Sequence, residues 1–416
     1  MSIYKGTTQL TGGFTPVDTE LSTTSTNPPQ NKVVTDKLVE MGADIWQKPA
    51  DWVDIRSGAL PNSVYFLVGH SADYSTYPKF RFKVTVSSGT YDVFVDGIKQ
   101  ATTNSEVFTE LNWQTLALVS GYDVSYPANL RTHIVRITPT TSTSTLSAIT
   151  TTDSNNKYAS GLLWAHFTLT NVVGLFCGFG NTDYNYHPKF EAVTCVGNVL
   201  KTNSFYGAFT HSPVKSIPVL DFSSMSGGSS ISYSFMNAKG LKNLHLKNIA
   251  QTNGTCNSTF QGASGLKEII IEGSINFGDG LFDTTSSLKK LPSGINSINT
   301  PSVSNALLRN CGATSPTVLE FSATNLTHID IGGQNTYPLT FVKGITVSSS
   351  APFSGTSPQI NVSYTGLDRA ALVNLFNSLP TVTDSQVINV TGCTGAANLD
   401  AIDLAIATGK GWTVTR

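Results

Sequence analysis

Carboxylates in the second half of the chain are the residues that could break a glycosidic bond. Hydrolysis of a glycan needs two carboxyl groups about 5–9.5 Å apart, one of which acts as a general acid. Acids are sparse in this region, and the candidates are Asp221, Glu268, Glu272 and Asp330. Asp330 stands between two isoleucines of a predicted strand, so we expect it to face solvent. The sequence therefore defines no catalytic pair, although a cryptic pair stays open.

Histidine and cysteine spacing indicates neither a metal site nor an activated nucleophile. The seven histidines form no HExxH motif and no spaced pair with cysteine, and the chain has no Gly-x-Ser-x-Gly turn and no phosphate-binding loop. We predict no metal, no cofactor and no enzymatic activity. Five cysteines lie far apart without a CxxC pair, and we expect small buried thiols at Cys177, Cys195, Cys256, Cys311 and Cys393.

Two aromatic loops carry the residues best suited to binding a carbohydrate. Residues 73–77 read Asp-Tyr-Ser-Thr-Tyr, and residues 179–187 read Phe-Gly-Asn-Thr-Asp-Tyr-Asn-Tyr-His. An aromatic ring can stack on a sugar while nearby Asp and Asn side chains hold its hydroxyl groups. The alternative is that the tyrosines pin each loop to its domain. The candidate receptor contacts are Tyr74, Tyr77, Tyr184, Tyr186 and His187.

Charge and composition exclude several classes of partner. Only 13% of the residues are charged, the formal net charge is −1, and no long basic run is present. Tight binding to nucleic acid or to an anionic membrane therefore has no electrostatic basis. No apolar run is long enough to span a bilayer, and the first residues lack a secretory pattern, so we expect a product made in the cytoplasm without processing. The length of 416 residues suits two to four domains.

A phenylalanine-led unit recurs between residues 209 and 331. In three copies a Phe is followed at the same offset by Leu-Lys and then by apolar residues, and looser copies flank these three. The spacing between the first four phenylalanines is 26, 25 and 22 residues. The repeat positions include Phe209, Phe235, Leu241, Leu244, Phe260, Leu266, Ile269, Phe282, Leu288 and Phe321.

The repeat predicts a solenoid because one unit cannot bury its own apolar face. Ile269 and its equivalents alternate as in a strand, and stacking on neighbouring units is the only way to remove them from water. Gly240 and Gly265 occupy the same slot, where we expect a positive φ. The lysine that follows the Leu in these units is predicted to be a solvated edge residue.

This pattern resembles the irregular leucine-rich repeats of BspA-like proteins, whose units begin with Phe and continue to Ser-Leu-x-x-Ile-x-Ile. The resemblance covers about residues 205–390 and weakens after Phe282, where Pro292 interrupts the strand position. It implies a parallel β solenoid. Helices predicted at 367–379 and 399–407, with strands at 387–390 and 412–415, then form a cap for the open end of the solenoid.

Between residues 51 and 150 the apolar period is two, which predicts an antiparallel β-sandwich. Residues 80–86 and 91–95 alternate on either side of a turn at 87–89, and Asp96-Gly97 forms the next tight turn. Residues 151–204 are predicted to connect this domain to the solenoid or to cap it, with strands at 162–169 and 190–196.

Residues 1–31 have too few apolar side chains to form a core of their own. Val33, Val34, Leu38 and Met41 predict a short helical stripe that is too short to be stable alone and that association of identical copies would bury. Residues 22–34 resemble a linker found near the start of tail-fibre and receptor-binding proteins of bacteriophages, with Pro29 where that linker has Val. The resemblance implies a virion protein that docks on the particle through this segment. The predicted docking residues are Asn27, Pro28, Gln30 and Asn31.

These expectations combine into one hypothesis. The chain is predicted to be mainly β (α+β), with an extended anchor at 1–50, a sandwich at 51–150, a connecting region at 151–204 and a leucine-rich-repeat-like solenoid with a helical cap at 205–416. Its expected function is that of a phage fibre or appendage adhesin, located on the virion and forming a homotrimer that contacts other virion proteins and a host-surface receptor. The alternatives are a BspA-like bacterial surface adhesin and a glycan depolymerase.

Overall fold

The computed structural model divides the chain into two compact units, Met1–Gln47 and Lys48–Arg416. In the first unit two short strands, β1 (Tyr4–Lys5) and β2 (Thr8–Gln9), pair antiparallel. The predicted docking residues Asn27, Pro28, Gln30 and Asn31 lie outside the described residues. The structure describes residues 4–5, 8–9, 46–77, 79–103, 109–116, 122–124, 130–141, 145–151, 161–169, 174–176, 189–202, 206–223, 230–250, 256–275, 278, 280–292, 297–298, 302–303, 307–322, 326–348, 353 and 357–416.

The second unit is mainly β, and helices account for only 9% of the chain. Its first strands are β3 (Val64–Ser71), β4 (Lys79–Ser88), β5 (Tyr91–Val95), β6 (Ile98–Thr103), β7 (Thr109–Asn112), β8 (Tyr122–Val124), β9 (Leu130–Pro139), β10 (Thr145–Thr150), β11 (Leu162–Phe167) and β12 (Gly174–Phe176). The later strands are β13 (Ala192–Cys195), β14 (Val199–Lys201), β15 (Val219–Asp221), β16 (Asn243–Ala250), β17 (Glu268–Ser274), β18 (Ser297–Ile298), β19 (Ser302–Val303), β20 (Thr317–Phe321), β21 (His328–Asp330), β22 (Val342–Val347), β23 (Ile360–Asn361), β24 (Gln386–Asn389) and β25 (Trp412–Thr415). The helices are α1 (Arg369–Ser378) and α2 (Ala401–Thr408), and single 3-10 turns occur at Val196–Asn198 and Ala396–Asn398.

Alternating apolar residues build the strands of the first part of this unit. β4 and β5 bury side chains that include Phe82 and Val93 in one common core, but the two strands do not pair with each other. β4 lies between β10 and β7 in a four-stranded sheet, and β5 lies between β9 and β6 in a second sheet. The turn at 87–89 therefore carries the chain from one sheet to the other. Asp96-Gly97 closes the tight hairpin that was predicted there, with Val95 opposite Ile98.

The solenoid begins on an edge of the antiparallel sheet. β11 pairs antiparallel with β3 on one side and parallel with β13 on the other, where Trp164 lies opposite Ala192. All six side chains of β11 are buried. Residues 164–415 form a β-solenoid of about 7 turns. The strands predicted at 162–169 and 190–196 thus belong to one continuous ladder.

A column of phenylalanine rings runs through the first turns of the solenoid. The ring centroids of Phe209, Phe235, Phe260 and Phe282 are successively 5.9, 5.9 and 5.3 Å apart, with neighbouring ring planes within 19° of parallel. Phe190 extends the column at 6.3 Å from Phe209. All five rings are fully buried. The recurrence of phenylalanine at intervals of 22 to 26 residues thus corresponds to direct ring stacking between successive turns.

The last predicted copy of the unit takes a different place. The N–H of Phe260 donates to the carbonyl of Leu281, the residue before the next ring, and the N–H of Phe282 donates in the same way to Leu307. Leu308 therefore occupies the next position of the column, and it is buried there. Phe321 lies instead in β20, opposite Val347 of β22. A search for phenylalanine misses this turn because leucine fills the same position.

The rings are bracketed by residues in the left-handed region. The residues two positions before and two positions after each ring from Phe209 to Phe282 have φ between 50° and 70°. Only glycine adopts this conformation without cost, and other residues lose roughly 1–2 kcal/mol there. The preceding positions are Gly207, Tyr233, Ser258 and Gly280, and the following positions are His211, Asn237, Gly262 and Thr284.

Gly240 and Gly265 occupy one slot, but the positive φ predicted for them is wrong. Neither residue has a left-handed backbone. A Cβ atom on Gly265 would lie 2.1 Å from the carbonyl oxygen of Lys239, and one on Gly240 would lie 2.3 Å from that of Pro213. The slot requires glycine because the backbone of the preceding turn passes too close to admit a side chain.

Parallel strands form the opposite wall of each turn. Leu244 lies opposite Ile269 and Leu246 opposite Ile271, and all four are buried as the alternation predicted. The first parallel sheet has the order β14-β15-β16-β17. From residue 297 onward the turns supply two parallel sheets, β18-β20-β22 and β19-β21-β23-β24-β25. The repeat residues Leu241, Leu266 and Leu288 are also buried.

The elements predicted for the last 50 residues are present. Asp368 begins α1 by accepting a hydrogen bond from the N–H of Ala371, and Asp400 begins α2 with a reciprocal pair of bonds to Asp403. α1 packs against β22, while α2 packs against β25 and α1. Arg369 ties the two helices together through contacts of 2.7 Å to Asp403 and 2.6 Å to Asp400.

Truncation of one ring tests the phenylalanine column. Phe260→Ala should lower the free energy of unfolding by about 3–5 kcal/mol, because the cavity would lie between two stacked rings. Phe260→Leu should cost less than about 1.5 kcal/mol, since Leu308 fills the equivalent position in a later turn. Urea titrations followed by circular dichroism measure both values. Equal losses for the two variants would contradict the role assigned to the column.

Candidate functional site

Two of the five predicted receptor contacts lie in the loop that follows β3. Tyr74 and Tyr77 both have a left-handed backbone, with φ of 59° and 55°. The other three, Tyr184, Tyr186 and His187, lie outside the described residues. The structure therefore places the first aromatic loop and leaves the second loop a prediction.

Asp73 holds the first aromatic loop in its shape. Its Oδ1 atom accepts hydrogen bonds from the hydroxyl of Ser71 at 2.6 Å, the hydroxyl of Ser75 at 2.8 Å and the N–H of Ser75 at 3.0 Å. These bonds lower the pKa of Asp73 to about 2, so the carboxylate stays ionised. The loop is thus fixed by its own polar side chains.

The two tyrosines of this loop are only partly available to a ligand. Tyr74 stacks on His70 with ring centroids 4.8 Å apart and planes 12° from parallel. Burial raises the pKa of Tyr77 above its usual value. Both residues are half-buried. The contact with His70 favours the alternative in which the tyrosine pins the loop to its domain.

His70 belongs to a buried pair of histidines that the sequence did not reveal. It lies in β3 and His133 lies in β9, which are neighbouring antiparallel strands. Their side chains point into the core between the two sheets, on the same faces as Val68 and Val135. Both are almost fully buried, at 1% and 2% exposure. Trp113 stacks on both imidazoles, at 5.6 Å from His70 and 5.2 Å from His133.

The two imidazoles meet edge to edge. Their Nε2 atoms are 3.1 Å apart, while the ring centroids are 5.2 Å apart and the planes differ by 7°. The difference between these distances is close to two ring radii, so the nitrogens lie on the line between the centroids. The contact is therefore an in-plane hydrogen bond between the rings.

Hydrogen-bond contacts join the cluster into one line. The Nδ1 atom of His70 lies 2.7 Å from the carbonyl oxygen of Ser71, which can only accept, so this nitrogen donates. The two Nε2 atoms contact each other, and Nδ1 of His133 lies 2.6 Å from Asp96. Ser71, His70, His133 and Asp96 therefore form one continuous series of polar contacts.

This cluster has no base free for catalysis. Each of the four ring nitrogens has a partner, and the second oxygen of Asp96 accepts the N–H of Ile134 at 2.9 Å. A general base needs a nitrogen within reach of a substrate proton. The arrangement instead joins β3, β9 and the β5–β6 turn through polar contacts at one end of an apolar core.

Three of the four candidate carboxylates take part in other contacts. Asp221 accepts from the amide of Asn248 at 2.8 Å, and Glu272 contacts His245 at 2.7 Å. Asp330 was predicted to face solvent, but it is half-buried, and burial raises its pKa. Asp221 in β15 and Asp330 in β21 lie in other turns than β17, which carries both Glu268 and Glu272. The structure assigns no glycosidase pair among them.

A ladder of carboxylate and amide side chains links the last turns. Asn389 donates to Asn361 at 3.1 Å, and Asn361 donates to Asp330 at 2.9 Å. In each case the side-chain oxygen also accepts an N–H two residues further along its own strand. Each of the three residues follows an isoleucine in the sequence. A pattern of two residues is too short to have predicted the ladder.

Lysines of four successive turns form a second surface feature, which we call the lysine column. Lys215, Lys242, Lys267 and Lys289 are all exposed, in agreement with their prediction as solvated residues. The N–H of Lys267 donates to the carbonyl of Lys242 at 2.7 Å, and that of Lys289 to Lys267 at 3.2 Å. The positions are therefore about 4.8 Å apart, the distance between neighbouring strands.

The described cysteines are free thiols. Cys256, Cys311 and Cys393 are buried, and burial raises the pKa of Cys195 to about 12. Thiolates are therefore scarce at neutral pH. Cys177 lies outside the described residues.

Other kinds of site have no support in the described part of the chain. No group of three or more His, Cys, Asp or Glu side chains there is arranged to hold a metal ion. Within the same residues, no helix has both the length and the apolar character needed to cross a membrane. Comparison with known proteins found no match among family models, curated proteins or solved structures.

Substitution of Asp96 tests the hydrogen-bond account of the histidine cluster. Asp96→Asn should cost about 1 kcal/mol or less, because an amide can donate to His133, accept from Ile134 and tolerate the φ of 49°. Asp96→Ala should cost about 2–4 kcal/mol, since it leaves two buried donors without partners and strains the backbone. Thermal and urea unfolding measure both values. A large and equal loss of stability in both variants would show that the charge of Asp96, and not its hydrogen bonds, stabilises the cluster.

Acid should weaken the fold through His70. Burial lowers the pKa of this residue, and the nearby charges of His133 and Arg131 act in the same direction. Below about pH 6.5 the unfolded chain therefore binds a proton more readily than the folded chain, and the free energy of unfolding falls as pH falls. Burial lowers the pKa of His166 in the same way.

Urea unfolding of the intact chain at pH 7.5, 6.5 and 5.5 checks this expectation. His70→Gln should reduce the loss of stability between pH 7.5 and 5.5, and the further change His166→Gln should reduce it again. An unchanged pH dependence in His70→Gln would contradict the assignment.

Proposed function

We propose that this protein is a bacteriophage fibre or appendage adhesin, located on the virion. Its N-terminal segment would dock on other virion proteins, and its solenoid would meet a receptor on the host surface. The linker resemblance at residues 22–34 supports the virion assignment. The solenoid of about 7 turns is the observation that carries the adhesive role, because it repeats exposed polar side chains at a fixed spacing over a long surface.

The proposed architecture has three parts. The two antiparallel sheets that share a core form a β-sandwich, which acts as a spacer. The phenylalanine column, with a strand in each turn, supports a leucine-rich-repeat-like solenoid. α1 and α2 act as its cap, since they pack on β22 and β25 near the end of the stack. An uncovered end would leave strand edges open to pairing with other chains.

Adhesion in this proposal depends on surface complementarity and not on catalysis. The turns present hydroxyl, amide and lysine side chains on a backbone that stacking makes rigid. The partly covered tyrosines, Tyr74 and Tyr77, contribute less to a receptor contact than the sequence suggested. Tyr184, Tyr186 and His187 remain candidates.

A homotrimer is the proposed assembly, because identical copies would bury the short apolar stripe predicted at Val33, Val34, Leu38 and Met41. Mass photometry of the intact chain should therefore give three times 44.4 kDa, about 133 kDa. Particles of 44.4 kDa at every concentration would contradict the trimer.

A label at the C-terminus tests the location. Gold particles bound to a tag after Arg416 should decorate intact virions by electron microscopy, at the distal end of an appendage. Full-length protein added to host cells should also reduce adsorption of those virions. Absence of label from purified particles would overturn the virion assignment, and release of reducing sugar from host glycan would favour a depolymerase instead.

A further inference from the structure

The first aromatic loop keeps its shape by itself but is held on the domain through His70. Among the described residues, the hydrogen bonds of residues 72–77 all lie within residues 71–77, for example from the N–H of Tyr74 to the carbonyl of Ser71 at 2.9 Å. Outside the loop, the ring of Tyr74 stacks on His70 and packs against the core. The attachment of the loop to the domain therefore includes a titratable ring.

The contact between His70 and His133 has room for one hydrogen. A neutral imidazole carries hydrogen on one of its nitrogens, and an imidazolium carries hydrogen on both. The two Nε2 atoms are 3.1 Å apart, so a hydrogen on one of them makes a hydrogen bond to the other. When both rings are protonated, two N–H groups and two positive charges face each other across this distance. The contact therefore breaks when both histidines are charged.

The groups around the pair decide which ring must move. Nδ1 of His133 lies 2.6 Å from Asp96, so a proton on this ring has a counter-charge. Trp113 stacks on both rings and can stabilise one imidazolium by a cation–π contact. Among the described residues, no carboxylate contacts His70, whose Nδ1 atom lies against the carbonyl of Ser71. A second proton thus makes His70 the charged ring without a partner of opposite sign.

The charged groups next in sequence to these contacts do not supply a counter-charge. Asp73 is hydrogen-bonded within its own loop. Glu110 of β7 pairs with Lys79 at 2.7 Å. Arg131, opposite His70 in the ladder between β3 and β9, adds positive charge.

We propose that acid releases the first aromatic loop from the domain and exposes Tyr74 and Tyr77. His70 leaves its place between the sheets when both imidazoles are charged, and the loop follows, because the carbonyl of Ser71 and the ring of Tyr74 both contact His70. The two tyrosines are candidate receptor contacts that the closed form covers in part. The proposal gives the proposed adhesin a pH-dependent contact, and its biological meaning rests on that function.

The release should begin below about pH 6.5, the ordinary pKa of histidine. Burial lowers the pKa of His70 in the closed form, so the open form binds the proton more readily. The equilibrium therefore shifts toward the open form as pH falls, by up to about tenfold for each pH unit and each proton bound. At higher pH neither form gains a proton, and the closed form stays populated.

Hydroxyl-radical footprinting of the full-length chain, read by mass spectrometry, measures the accessibility of each aromatic side chain. Trp113 is 1% exposed and lies against both imidazoles, so its oxidation rate should rise at least about fivefold between pH 7.5 and 5.5. Tyr74 and Tyr77 should gain less, because they start half-buried. Trp164 and Trp412, which are buried elsewhere in the chain, should keep their rates and thereby exclude global unfolding.

Substitution of His70 removes the group that takes up the second proton. His70→Gln should abolish the pH response of Trp113. His166→Gln is the matched control, because burial also lowers the pKa of His166, and this variant should respond as the parent does. If His70→Gln already exposes Trp113 at pH 7.5, His133→Gln takes its place, since it leaves one imidazole in the cluster and should also abolish the response. Circular dichroism checks that each variant is folded.

Three results would overturn the proposal: equal oxidation of Trp113 at the two pH values in the parent, a rise of Trp164 by the same factor as Trp113, or a loss of the response in His166→Gln as complete as in His70→Gln. The measurement uses the isolated protein and needs no receptor. Its failure therefore leaves the virion labelling experiment unaffected, and failure of that experiment leaves the pH response intact.

Discussion

The fold depends on the inability of a single turn to bury its own apolar residues. The first turns pair a buried phenylalanine ring with buried strand residues, and both are covered by the turns above and below. Burial of one such side chain contributes roughly 1.5–3 kcal/mol, which is too little to order a segment of more than 20 residues alone. The first turn meets this constraint on β11, where the edge of the antiparallel sheet supplies the missing neighbour.

The stacking constraint also decides what the surface can do. A residue that is exposed in one turn lies next to the equivalent residues of adjacent turns. A residue type that recurs at one position of the repeat therefore forms a column of like side chains on the surface. The Asp330–Asn361–Asn389 ladder is a column that satisfies itself by hydrogen bonds. The lysine column is another case, in which Lys215, Lys242, Lys267 and Lys289 are all exposed.

The sequence predicted the parts of the fold that depend on spacing. Phe209, Phe235 and Phe260 were placed in one repeat because apolar residues and lysine recur at similar offsets after each of them, and the helices near the C-terminus followed from their apolar faces. It did not predict why Gly265 is glycine, since that depends on how closely the backbone of the preceding turn passes. The prediction that Phe321 continues the phenylalanine-led repeat was wrong, because an aromatic residue fits a strand as well as the ring column. The second aromatic loop stays untested.

The histidine cluster could not be found from the sequence because its members are far apart and share no pattern. His70 and His133 continue the alternation of two ordinary buried strands, and only the register of β3 with β9 brings them into contact. The core accepts this polar pair because its members have partners. Asp96, in a tight turn, contacts His133, and Trp113 and Tyr74 stack on His70. The first aromatic loop is therefore packed on a polar network instead of projecting from the domain. On the solenoid, by contrast, equivalent side chains of successive turns, such as Lys242 and Lys267, stay exposed.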